Sequence, residues 1–183
     1  MRITGGDFKG HFLKTARTKN VRPTREMVRK AVFDVLEGFV PGKQVLDLFS
    51  GSGAFGFEAL SRGAQHVSFV ENKYAAVKTI KSNIMTLKVD PRGKIIAKDV
   101  FLSLDMLEKK EEKFDIIFAD PPYHKNLAKK CLLQIDNCDI LNTSAMVVME
   151  HYKKDELPNV LGTLTLWQFK QYGDSAVSFY TPV

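Results

Sequence analysis

Between Gln44 and Glu150 the chain alternates short apolar runs with amphipathic segments, and few folds accept that rhythm. Gln44–Phe49 reads as a strand and Ala54–Arg62 as a helix closed by Gly63. Val67–Glu71 is the next strand. Lys73–Lys88 is the next helix, with Val77, Ile80, Ile84 and Leu87 on one face. A strand over Lys94–Lys98 leads into a helix through Leu102 and Leu107, and Phe114–Ala119, Leu127–Ile135 and Ala145–Glu150 repeat strand, helix, strand. Strands this apolar have no wet face. Helices must therefore cover both sides, and the connections are right-handed βαβ crossovers in a parallel sheet.

The rhythm breaks at both ends. Gly162–Tyr172 and Ala176–Tyr180 are separated only by Gly173-Asp174-Ser175, which makes an antiparallel hairpin. Near the start, Ile3, Phe8, Phe12 and Leu13 around Gly5-Gly6 and Gly10 read as a short hairpin. Thr24 reads as a helix N-cap. Met27, Val28, Ala31, Val32, Val35 and Leu36 follow at helical spacing, and Gly38 and Pro41-Gly42 stop that helix. The expected fold is α/β. A mostly parallel, seven-stranded sheet ending in an antiparallel hairpin is the Rossmann-like arrangement of class I S-adenosylmethionine-dependent methyltransferases. NAD-binding Rossmann domains lack the hairpin, and the comparison is an analogy of fold. At 183 residues the chain reads as one domain, with a basic arm over 1–23, a helix over 24–39 and the core over 43–183.

The formal net charge of +6 is unevenly spread. The first 30 residues hold nine Lys or Arg against Asp7 and Glu26, whereas the others hold 18 basic and 19 acidic side chains. A cationic arm on a neutral body suits phosphate groups, with Arg17, Lys19, Arg22 and Arg25 as candidate contacts. No apolar run approaches the roughly 20 residues that a membrane span needs, and no signal-peptide core opens the chain. A cytoplasmic location is expected. Cys131 and Cys138 cannot close a metal site alone, so reduced thiols and no metal are expected.

Gly51-Ser52-Gly53-Ala54-Phe55-Gly56 matches G-x-G-x-x-G between a strand and a helix, a turn that lets backbone N–H groups approach a nucleotide-like ligand. Glu71 ends the second strand, placed for two ribose hydroxyls. NAD would satisfy both features. Two carboxylates tilt the balance: Asp47, inside the end of the first strand, is placed to meet a cationic amino group, which S-adenosylmethionine carries and NAD does not. Asp99 ends the third strand as an acceptor for the adenine amino group, with Val100 or Phe101 against the ring; helix N-capping is its structural alternative. Phe49, Ser50, Gly51 and Gly53 of the turn, and Asn72 beside Glu71, complete the cofactor set.

Asp120-Pro121-Pro122-Tyr123 ends the fourth strand. The amino nitrogen of a base is a poor nucleophile because its lone pair is delocalised into the ring. Two acceptors for its N–H bonds, the Asp120 carboxylate and the Pro121 carbonyl, favour a tetrahedral nitrogen with its lone pair aimed at a methyl group. Its proton becomes strongly acidic only as the methyl arrives, so Asp120 orients, stabilises charge and takes the proton without being a strong base. Pro121 and Pro122 stiffen the loop, and Tyr123 offers a face on which an extruded base stacks. The set points to methylation of an amino group on a nucleic-acid base.

In this order the residues resemble the RsmD-type 16S rRNA (guanine-N2)-methyltransferases over almost the whole chain. Arg2-Ile3-Thr4-Gly5-Gly6 resembles the family's opening strand. Arg22-Pro23-Thr24-Arg25 with Val28-Arg29 resembles its next motif, followed by Asp47 through Gly53, Glu71-Asn72 and Phe114 through Tyr123. The glycine turn and Asp-Pro-Pro-Tyr are shared by many amino-methyltransferases and specify only chemistry; the Arg-Ile-x-Gly-Gly and Arg-Pro-Thr segments point to this family. The resemblance implies S-adenosylmethionine as methyl donor and a guanine of small-subunit 16S rRNA, presented on ribosomal particles, as acceptor. It also implies a monomer, with Arg22 and Thr24 near the active-site mouth. His11 stands where the family commonly has a permanent cation, implying one weaker RNA contact.

Four other readings compete. Adenine-N6 methylation of DNA or RNA keeps the chemistry, but no insertion is large enough for a sequence-reading domain. Glutamine-N5 protein methylation leaves the basic arm without a purpose, and such enzymes usually carry Asn in place of Asp120. A nicotinamide-dependent oxidoreductase leaves Asp-Pro-Pro-Tyr unexplained, and a non-catalytic RNA-binding module leaves the cofactor carboxylates unexplained. His66, His124 and His151 are expected at the surface or in loops, with His124 beside Tyr123 a candidate for the mouth. Trp167, Phe169, Phe179 and Tyr180 are expected to pack the core of the hairpin.

Overall fold

The computed structural model describes residues 1–15, 23–123 and 126–183, with the backbone alone at Pro23, Thr24 and Arg25. Seven strands form one sheet: β1 (Gln44–Leu48), β2 (His66–Val70), β3 (Gly93–Ile96), β4 (Phe114–Ala119), β5 (Leu141–Tyr152), β6 (Leu164–Tyr172) and β7 (Ser175–Pro182). Their order is β3-β2-β1-β4-β5-β7-β6. The first five run parallel, and β7 lies antiparallel between β5 and β6. This is the sheet expected of a class I methyltransferase. The chain builds outward from β1 to β3, then returns to place β4 on the other side of β1, so β1 and β4 flank the point where the winding reverses. Open α/β sheets bind ligands in the crevice beyond the strand carboxyl ends at that point.

Among the described residues five helices cover the sheet: α1 (Pro23–Val35), α2 (Ala54–Ser61), α3 (Tyr74–Leu87), α4 (Val100–Lys109) and α5 (Leu127–Asn137). On one face α1, α2 and α3 bury Val28, Val32, Phe33, Phe57, Leu60, Ile80 and Ile84 against Val45, Phe69, Phe118, Val148 and Phe179. On the other, α4 and α5 bury Leu104, Leu107, Cys131, Leu132 and Ile135 against Leu46, Leu48, Val70, Ile117 and Met149. No helix among the described residues is long and apolar enough to cross a membrane.

Several expectations need correction. Helix α1 begins at Pro23, so Thr24 stands inside the first turn instead of capping it; proline suits that first position because its missing N–H would have no helical partner. Met27, Phe12 and Leu102 are 57%, 76% and 64% exposed, so they lie off the buried faces of their segments. Trp167 and Phe169 are 55% and 49% exposed on β6, the last strand in the sheet order; of the four, only Phe179 and Tyr180, on the inner strand β7, are buried. His151 is not a surface residue: it is buried on β5, its Nε2 2.9 Å from Ser178 Oγ and its Nδ1 3.0 Å from the Tyr152 carbonyl. Strand β5 starts at Leu141, ahead of the expected Ala145: Leu141 pairs with Phe114, and the register shifts before Met146 pairs with Ile116, so the polar residues Asn142–Ser144 fall in an irregularity that an apolar pattern does not reveal.

The N-terminal segment folds back as a loop with one antiparallel bridge, Arg2 to Phe12, and bonds from Ile3 N to His11 O (3.0 Å) and from Gly10 N to Ile3 O (2.9 Å). It is fastened to α2. Glu58, wholly buried there, accepts from Thr4 N (2.9 Å), Thr4 Oγ1 (2.7 Å), Arg29 Nε (3.3 Å) and Arg62 Nε (3.0 Å). Arg29, 1% exposed, also donates to the Arg2 carbonyl at 2.7 Å. Gly6 has φ +73, and a Cβ there would lie 1.8 Å from the Ser61 carbonyl oxygen. The Arg-Ile-Thr-Gly-Gly and Val-Arg segments are thus the two sides of one ionic clasp. Glu58→Ala would strand a buried guanidinium, so we expect a loss of about 3–5 kcal/mol, read as a lower urea midpoint.

Candidate active site at the β1–β4 crossing

The turn after β1 is held by backbone and by Ser50. Its N–H reaches the Val70 carbonyl (3.0 Å), its hydroxyl donates to the Asp47 carbonyl (2.5 Å), and Gly53 N closes onto Ser50 O (2.7 Å). Phe49, Gly51 and Gly53 all have positive φ, at 55°, 56° and 80°. The glycines divide their labour more than the motif alone suggests. A Cβ on Gly53 would come within 2.6 Å of the Phe57 ring, and one on Gly56 within 2.2 Å of Phe69. Both are bare so that the turn can fold over Phe57 of α2 and the helix can lie against Phe69 of β2. Gly51 meets nothing nearer than 3.9 Å, and its open side is where a ligand can approach the backbone.

Three carboxylates surround this turn. Asp47 is 3% exposed and accepts from Gly56 N at 3.1 Å. Burial above all, with Glu71 adding to it, pushes its carboxyl up to about 7, while the Gly56 bond acts in the opposite direction. Glu71 accepts from Gly51 N (2.9 Å) on one oxygen and from Asn72 N (2.9 Å) and Lys73 N (2.8 Å) on the other, tying the glycine turn to the end of β2. Asn72 itself is exposed. Asp99 is the N-cap of α4, its Oδ1 accepting from Phe101 N (2.9 Å) and Leu102 N (3.3 Å), so the capping alternative for that residue is realised. Val100 is buried. Phe101 is half-buried, with Lys130 Nζ 4.2 Å from its ring centroid.

Asp120 and Tyr123 are half-buried at the exit of β4, with Pro121 buried and Pro122 exposed between them. The Tyr123 hydroxyl donates to Glu150 Oε1 at 3.1 Å and lies 2.6 Å from Ser175 Oγ, and its ring stands 6.0 Å from that of Tyr152. Burial chiefly, then the charges of Glu150 and Asp120, raises the pKa of that phenol, so it stays protonated. The Ser175 contact acts in the opposite direction. β1 and β4 are neighbours, Leu48 opposite Ala119, so the glycine turn and the Asp120 loop leave the sheet side by side. Arg17, Lys19, Arg22 and His124 lie outside the described residues, as do the side chains of Thr24 and Arg25.

Sequence reasoning missed two residues here. Glu150, 5% exposed at the end of the apolar run Val147-Val148-Met149, carried the same signal as Glu71: a carboxylate closing a buried strand. Asn83, 1% exposed on α3, accepts from Lys14 N (2.9 Å) and donates to the Lys14 and Ser52 carbonyls (3.0 and 3.3 Å), joining the root of the basic arm to the turn. Nothing in a helical pattern announces that role. Among the described residues no cluster of three or more His, Cys, Asp or Glu is placed to hold a metal ion.

The model of the family described as conserved hypothetical protein 95 matches residues 1–181. YlbH of Bacillus subtilis, provisionally named as an rRNA methyltransferase, is 36% identical over 180 residues, which is 98% of each chain. A Haemophilus influenzae protein named ribosomal RNA small subunit methyltransferase D is 33% identical over 160 residues, 86% of this chain and 81% of its own. The solved structure of the Escherichia coli protein YhhF, described there as a methyltransferase, superposes with a TM-score of 0.86 at 28% identity, covering 100% of this chain and 97% of that one. The division among the glycines gives a test. Gly53→Ala should lower the melting temperature, since its methyl group meets two rings at a positive φ, at a cost of about 1–3 kcal/mol. Gly51→Ala should cost only its backbone strain of about 1–2 kcal/mol and show its larger effect in cofactor affinity.

Proposed function

We propose that this chain, which belongs to the conserved hypothetical protein 95 family that contains the RsmD methyltransferases, moves a methyl group from S-adenosylmethionine to the N2 amino group of a guanine in small-subunit ribosomal RNA. The observation that carries the reading is the pairing of the glycine turn after β1 with the Asp120-Pro121-Pro122-Tyr123 loop after β4 at one crossing of the sheet. The relatives' names supply the RNA class. The cationic residues of the arm supply phosphate contacts, and the acceptor is expected on small-subunit particles in the cytoplasm, with the enzyme acting as a monomer.

The donor set fits the cofactor. Asp47 is a buried carboxylate with no ion pair among the described residues, and a buried anion without a counter-charge is costly unless it protonates or gains a cation. The ammonium of S-adenosylmethionine is such a cation. Glu71 would hold the ribose hydroxyls while keeping its bonds to Gly51, Asn72 and Lys73, and Val100 and Phe101 would border the adenine, with Asp99 beside them. What the cofactor supplies is a methyl carbon made electrophilic by its sulfonium.

The chain supplies alignment and a proton acceptor. Tyr123, fixed through its hydroxyl, offers a ring on which the base stacks, worth about 1–3 kcal/mol. The Pro121 carbonyl and the Asp120 carboxylate take the two N–H bonds of the amino group and turn its lone pair towards the methyl carbon. Gaining the methyl group would make the nitrogen cationic, and Asp120 would stabilise it and accept the proton it releases. Holding the three atoms in line contributes up to roughly 7–11 kcal/mol.

Asp120→Ala should lower turnover by on the order of 10²–10⁴ with cofactor affinity nearly intact. Asp120→Asn should retain more activity, since its amide oxygen still accepts; equal losses would transfer the main burden to proton removal. The Asp47 carboxyl, raised from 3.8 to about 7, is protonated in the folded chain between those values and ionised in the unfolded one. Stability of the cofactor-free chain therefore falls as pH rises through that window, whereas affinity for the cationic cofactor rises. Calorimetric titration should show affinity dropping by up to about tenfold per pH unit below neutrality. Asp47→Asn should bind more weakly and flatten the profile. A flat profile in the unsubstituted chain would remove Asp47 from the ammonium contact.

A further inference from the structure

Glu150 is buried on the lip of the proposed active site. In the register of β4 on β5, Phe118 faces Val148 and Ala119 faces Met149, so the next pair along is Asp120 and Glu150. Adjacent parallel strands lie about 4.8 Å apart, and side chains alternate between faces, so these two carboxyls leave the sheet beside each other on the face that Phe118 and Val148 share. Glu150 reaches the Tyr123 hydroxyl at 3.1 Å and lines a narrow apolar crevice with Phe55, Phe118 and Val148. A carboxylate in such a place is held there by donors. One of them is the Tyr123 hydroxyl.

Resting on the reading that Asp120 grips the amino group of a stacked base, we infer that Glu150 is the residue that selects guanine, by accepting the N1–H that stands next to the methylated N2. The chemistry of the bases makes this selective. Each of the amino-bearing bases places its exocyclic nitrogen between two ring atoms. In adenine these are N1, an acceptor, and a carbon; in cytosine they are N3, an acceptor, and a carbon. Guanine alone has a ring N–H beside its amino group. A carboxylate next to Asp120 therefore gains a hydrogen bond from guanine and faces a lone pair in adenine or cytosine. It also fixes which way round guanine lies, since N3, on the other side of the amino group, is an acceptor as well. Tyr123 serves the same arrangement from below, because the hydroxyl that Glu150 holds belongs to the ring on which the base rests.

The test uses small-subunit RNA whose target guanine is replaced by 2-aminopurine, which keeps the 2-amino group but has an acceptor at N1. The unsubstituted enzyme should methylate guanine over 2-aminopurine by on the order of 10²-fold in kcat/KM or more. Glu150→Gln, which can present its amide N–H to an acceptor, should shrink that ratio to within a few-fold by losing guanine turnover and gaining 2-aminopurine turnover. Tyr123→Phe removes the hydroxyl bond and leaves Glu150 in place; it should weaken both substrates and keep the ratio. If Glu150→Gln lowers both substrates equally, Glu150 only supports Tyr123 and the inference falls. It falls also if the unsubstituted enzyme accepts both bases alike. If nucleoside mass spectrometry finds no N2-methylguanosine made by the unsubstituted enzyme, the proposed function itself is overturned and this inference with it.

Discussion

Helix α2 can lie against Phe69 of β2, with the glycine turn folded over its own Phe57, only because Gly53 and Gly56 have no side chains, and most of the site follows from that contact. The seated helix brings Gly56 N to Asp47 and fixes the angle at which the glycine turn leaves β1. It also sets the depth of Glu58 and Ser61 on its outer turns, where the N-terminal segment docks. A methyl group on Gly56 would push against Phe69 and shift both ends together. Turn and arm are separate in sequence but share one support.

The carboxyl edge of the sheet gathers Asp47, Glu71, Asp99, Asp120 and Glu150, each near the carboxyl end of a strand, whereas the cationic excess belongs to the first 30 residues. Such a division suits a reaction that brings a cationic donor to a polyanion. Acids alone would repel RNA at close range, and fixed positive charge elsewhere on the chain would offset that repulsion. The acids then act over short distances, where hydrogen-bond geometry decides more than charge.

The sheet was legible because its strands are short, apolar and punctuated by glycine and proline, and the glycine turn and Asp120 loop were legible because each closes such a strand. Other features depend on partners far away in sequence. Glu58 stands as one acid inside an apolar helix, and its purpose is visible only when Thr4, Arg29 and Arg62 surround it. His151 looked like a scattered polar residue until Ser178 came to lie against it. Trp167 and Phe169 carry the composition of a core but occupy an edge strand, where strand pairing rather than hydrophobicity dictates position. Asp99 could have served a ligand or a helix end, and the local backbone took its Oδ1 for the cap.

The Tyr123 hydroxyl is tied to residues 27 and 52 positions further along the chain, Glu150 on β5 and Ser175 on β7. β7 pairs with β5 on one side and β6 on the other, so β6 joins the sheet through β7 alone. The Asp120 loop therefore gains the second anchor of its aromatic only when the last hairpin has zipped into place. On a translating ribosome, a chain that has emerged only as far as β5 would carry the glycine turn, the aspartate and Glu150, but not Ser175, the second partner of the tyrosine. The hydroxyl's second contact would form only at the close of synthesis and folding, when β7 slots in beside β5.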